Sequence, residues 1–136
     1  MAIGGAQISA SSATNATGGG TCEHGRAVFL YVPFPERVNL AELATEALAR
    51  GLAACVNVVA GRSIYLWEGR TVDEPEQLAW FKTTPAQESA LRQFIEERHP
   101  YSLPCLASFR PDVNPAFGSW IESCVSGAGQ DTKPQR

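Results

Sequence analysis

Two long extended runs joined by a single tight turn constrain this chain more than any other feature. Residues 53–68 read AACVNVVAGRSIYLWE and residues 71–83 read TVDEPEQLAWFKT, with Gly69 between them. Both runs are rich in β-branched and aromatic residues, and Glu68-Gly69 supplies the positive-φ residue of a hairpin turn. At roughly 3.3 Å per residue, runs of this length reach about 50 Å, beyond the sheet of a domain of some 100 residues. The hairpin tip is therefore expected to project from the body. Pro75 cannot donate to a ladder, which predicts a bulge or an edge there, and Ala60-Gly61 marks a possible kink.

The remaining elements fall around this hairpin. Residues 27–32 (AVFLYV) form a strand bounded by Pro33 and Pro35. Asn39, with Glu42 three residues on and Leu40, Leu43, Ala44, Ala47 and Leu48 at helical spacing, predicts a capped amphipathic helix ending at Gly51. Thr84-Pro85-Ala86-Gln87 reads as a capping box opening a second helix, which Pro100 closes after His99. Residues 103–109 read as a fourth strand, and Asn114-Pro115 opens a terminal helix.

The order β-α-β-β-α-β plus a helix is the ferredoxin-like split βαβ arrangement, an α+β fold. Both helices then cover one sheet face, yet the strands are apolar on both faces. An overlong hairpin and an apolar second face call for copies of the same chain in a closed ring.

Composition narrows the partners. Eleven Lys and Arg against 14 Asp and Glu leave a net charge of −3, and no basic run tracks a phosphate backbone, so nucleic acid is excluded. No apolar stretch approaches the roughly 18 residues of a spanning helix. Residues 1–26 are small, polar and Gly-rich, and residues 126–136 are polar, so both read as tails around a domain at 27–125. The first segment lacks the basic and apolar regions of a secretory signal, which predicts a cytoplasmic address; its Ser-rich, acid-poor character also fits a plastid transit peptide. The four cysteines, Cys22, Cys55, Cys105 and Cys124, form no C-x-x-C pair, predicting three buried thiols and one in the tail.

Four motifs in register, Ala53-Ala54-Cys55-Val56-Asn57, Ser63-Ile64-Tyr65-Leu66-Trp67-Glu68-Gly69, Phe81-Lys82-Thr83-Thr84 and His99-Pro100-Tyr101, resemble the CutA divalent-cation tolerance family over nearly the whole of 27–125. The resemblance implies a homotrimer of ferredoxin-like subunits with PII-like architecture, in which long hairpins pair between subunits. It also implies a non-enzymatic role in response to divalent metal ions, copper among them, with metal or small-ligand binding at intersubunit clefts. Lys82, Tyr101, Trp67 and Glu76 are the cleft residues it suggests, Lys82 as a binder of a small anionic ligand. His99 is the metal candidate, joined by Cys55 and Glu76, or by its copies in the trimer.

This chain departs from copper-binding relatives, since Val32 stands where they place a Cys, Arg98 replaces the first His of a pair, and Cys105 follows Pro104 where an acid is usual. Read from the residues alone, His99 caps the second helix, and Asp73, Glu74 and Glu76 form a solvated acidic face. Tyr65 and Trp67 read as interface anchors. Two other classes compete: an enzyme with Lys82, Glu76 and His99 as anion binder, base and acid, and a scaffold that anchors other proteins through the tails.

Overall fold

Alternate side chains of the first strand, β1 (Val28–Pro35), are fully buried: Val28, Leu30, Val32 and Phe34 have no exposed surface. They face the helices α1 (Leu40–Ala49) and α2 (Pro85–Arg98), where Leu40, Leu43, Leu91 and Ile95 complete a core with Phe81. Burial of each large side chain contributes roughly 1.5–3 kcal/mol. The computed structural model describes residues 26–126; the expected tails and Cys22 lie essentially outside them.

The hairpin forms as its sequence demands. Strands β2 (Cys55–Trp67) and β3 (Arg70–Thr83) pair without interruption from Cys55↔Lys82 to Trp67↔Arg70. Glu68 (φ 50°) and Gly69 (φ 75°) make the turn, whose two positive-φ residues match the twist of the flanking strands. There is no bulge at Pro75. It pairs with Arg62 on one side, while β1 ends opposite Glu76, so the missing N–H falls on a free edge. Neither is the pairing broken at Gly61, where a Cβ would stand 2.6 Å from a methyl carbon of Leu78.

The sheet is antiparallel throughout, in the order β2-β3-β1-β4, with β4 at Ala107–Phe109. This is the ferredoxin-like α+β arrangement. A terminal helix, α3 (Pro115–Val125), follows and buries Ile121. β1 runs through both of its prolines because β4 stops opposite Tyr31 and leaves that edge open.

Several sequence expectations need correction. Asn39 caps α1 through the Glu42 amide (3.2 Å), but the Thr84 hydroxyl makes no bond at the start of α2; Thr84 is buried, and its carbonyl instead accepts the Gln87 amide. The fourth strand covers three residues, not seven, since 103–106 leave the sheet to wall a cleft. The three described cysteines are not buried: Cys55 and Cys124 are half-buried and Cys105 is exposed.

Candidate functional site

Strand alternation decides which candidate residues meet. Glu74, Glu76 and Lys82 share the parity of β3 that pairs with Tyr65, Trp67 and Cys55 of β2, so all six lie on the sheet face turned away from α1 and α2. Asp73 points to the other face, where its carboxylate receives the Arg62 guanidinium at 2.6 Å and is held below its usual range by that bond. The acidic triplet therefore splits, and among the described residues no group of three His, Cys, Asp or Glu side chains is placed to hold a metal ion.

Between the projecting part of the hairpin and the loop after α2 a cleft of about 610 Å³ opens. Tyr65, Leu66 and Trp67 form one wall, the segment from Pro100 to Leu103 with Cys105 forms the opposite one, and Pro33 and Glu76 close the base. Glu76 is only 6% exposed. Its Oε2 accepts the Tyr101 hydroxyl at 3.0 Å. Burial, then this bond and the charge of Glu76, push the Tyr101 phenol up to about 12, so it stays neutral and donates. Tyr65 donates in the same way to Glu74, which raises its phenol too. The Tyr31 phenol is raised by burial first, then by Cys105 and Glu76.

His99 sits behind this cleft as a pin. Its Nδ1 accepts the Tyr101 amide at 3.1 Å, so its Nε2–H donates to the Pro33 carbonyl at 2.8 Å. The ring stacks on Phe34 with centroids 4.6 Å apart. Both nitrogens are thus engaged within the chain, tying the end of α2 and the cleft wall to β1. The helix-capping role is filled by the backbone amide, which bonds the Ile95 carbonyl, and not by the ring.

Lys82 lies six residues from Glu76, about 20 Å along the strand. Its ammonium rests over Phe29 (5.0 Å) and over Phe117 of α3 (5.3 Å). Cys55, its partner across the ladder, shares that end of the sheet. Trp67, Glu76 and Tyr101 are therefore brought together, Lys82 and Cys55 are set apart from them, and His99 supports them from behind. Arg98 lies over the Phe94 ring and reaches the Phe94 carbonyl and Glu46. Val32 is sealed in the core. Leu103 and Cys105 were hidden by their reading as strand and core, although Pro104 between them was a signal for a loop.

Fold and cleft together define a ferredoxin-like domain with a projecting hairpin and a candidate ligand cleft beside it. The CutA1 divalent ion tolerance protein family model matches residues 28–124. The divalent-cation tolerance protein CutA of Thermococcus kodakarensis is 30% identical over 102 residues, covering 74% of this chain and 98% of that protein. Among solved structures, CutA from Synechococcus elongatus PCC7942 superposes with a TM-score of 0.70 at 34% identity, covering 74% of this chain and 91% of that one. The protein described as the periplasmic divalent cation tolerance protein CutA from Archaeoglobus fulgidus gives 0.69 at 27%, covering 73% and 98%. This chain belongs to the CutA1 divalent ion tolerance protein family.

Proposed function

We propose that the chain acts in the response to divalent metal ions, copper included, as a homotrimeric, non-enzymatic protein that binds a small ligand in clefts between subunits. The observation that carries this reading is the cleft itself, with a nine-tenths buried carboxylate at its base and the hairpin's aromatic residues as one wall. Assembly is supported by β2, a 13-residue strand at the sheet edge. An edge of that length invites pairing with another chain. Ile64, Leu66 and Trp67 near its tip are 62%, 76% and 47% exposed, an apolar patch suited to a neighbouring copy. The enzyme reading loses support because Lys82, Glu76 and His99 do not converge.

In this reading His99 positions the cleft wall, and the described residues bring no thiolate and imidazole set together for copper, so their direct affinity for it is modest. Free thiols at Cys55, Cys105 and Cys124 favour the reducing cytoplasm, and no helix among the described residues is long and apolar enough to cross a membrane. Isothermal titration with copper and zinc, beside light scattering of the full chain, tests the proposal. A trimer mass with copper binding weaker than micromolar is expected. A monomer mass, or submicromolar copper binding abolished by His99→Ala, overturns it.

A further inference from the structure

The geometry points to a small organic cation, a protonated or quaternary amine on a compact carbon framework, as the class of ligand taken by the cleft at Glu76. This rests on the reading of that cleft as a ligand site and assigns the charge and shape of what enters. The first observation is one of sign. Among the described residues no Lys, Arg or His lines the cavity, whereas the Glu76 carboxyl at its base is 6% exposed. Among the described residues its side chain is bonded once, at Oε2 by Tyr101, which leaves Oε1 for a ligand. A buried carboxylate with one neutral donor is costly without a counter-charge. Lys82, the lysine among the described residues, is held over two rings at the other end of β3 and cannot supply it.

The second observation is the wall chemistry. Tyr65, Trp67 and Tyr101 present three aromatic rings, and Leu66, Leu103, Pro33 and Pro100 are apolar. Ring faces attract cations, best when the cation is weakly hydrated and the site is shielded from water. The two tyrosine hydroxyls point to Glu74 and Glu76, so their donors are spent on carboxylates and are not offered to an anion. A bare divalent metal is a poor match for the same walls: it needs several oxygen ligands, and this cleft offers one buried carboxylate amid carbon. An amine carried on carbon satisfies both parts, charge toward Glu76 and carbon toward the rings. A cavity of about 610 Å³ lies within the range of small-ligand sites.

Charge and shape are separable with choline and its uncharged isostere 3,3-dimethyl-1-butanol, compared by saturation-transfer NMR and calorimetry on the full-length protein, with citrate as the anionic probe. Choline is expected to bind at least about tenfold more tightly than the isostere, about 1.4 kcal/mol. Glu76→Gln, which keeps the shape and an acceptor for Tyr101, is expected to erase that difference while leaving the unfolding midpoint and oligomer mass near wild type. Tyr101→Phe, a second and milder variant, is expected to keep most of the preference for the cation. Equal binding of choline and isostere, or binding of citrate instead, overturns the cation assignment and leaves the cleft standing as a ligand site; citrate would indicate a basic residue delivered by a neighbouring copy. Failure of all three probes to bind at millimolar concentration overturns the assignment and the cleft reading together.

Discussion

His99 replaced by alanine loses a donor to Pro33, an acceptor for the Tyr101 amide and a ring stacked on Phe34 in one step. The orphaned buried groups and the void together predict a loss of about 2–3 kcal/mol in urea unfolding. An unchanged midpoint would show that the ring has no positioning role. Tyr101 gives a pH signature at the same spot. Its folded-state value of about 12 stands above the 10.0 of a free tyrosine, so its contribution to stability is complete below pH 10 and is lost as pH rises through about 12. Tyr101→Phe is expected to flatten that alkaline decline, and ultraviolet titration of wild type to show one tyrosine ionising last. Cysteine reactivity is the third residue-level test. In a Cys22→Ser background, maleimide at pH 8 is expected to modify exposed Cys105 first and Cys124 slowly, since burial pushes the Cys124 thiol up; the reverse order on a mass-spectrometric map counts against this placement.

Among the elements, the hairpin illustrates how local chemistry and packing divide the work. Its turn was legible because Glu68-Gly69 is a turn sequence, and its strands because β-branched and aromatic residues crowd both runs. The purpose of Gly61 was not legible, because Leu78, the residue that fills its missing Cβ, approaches diagonally across the ladder. Gly61→Ala is expected to cost about 1–2 kcal/mol through overpacking. In a Leu78→Ala background the same change is expected to be neutral or stabilising, a non-additivity that urea midpoints of the four-member cycle report. The short β4 was misread for a related reason. Leu103, Cys105 and Leu106 look like strand residues by type, yet the backbone there is drawn off the sheet by the Pro100–Leu103 wall of the cleft. Thr84 looked like a side-chain cap, but burial of the residue took its hydroxyl away from the helix start.

For the whole molecule, Ile64→Asp with Leu66→Asp is expected to convert a trimer mass to monomer in light scattering and to lower the melting temperature. Charges on the hairpin's apolar tip would have to be buried against a neighbour, and a trimer that persisted would place the subunit contacts elsewhere. By itself the sequence determined the element order, the α+β class and the alternation of strand residues between two faces, because turn chemistry, capping and the two- and 3.6-residue periods are local properties carried by neighbouring residues. Only the tertiary structure decided which end of β3 opens onto the cleft. Glu76 and Lys82 are equivalent in parity and look alike as candidates, but the loop after α2 folds back over Glu76 while α3 closes over Lys82. That choice depends on contacts between residues 25 and 35 positions apart, which no local pattern encodes.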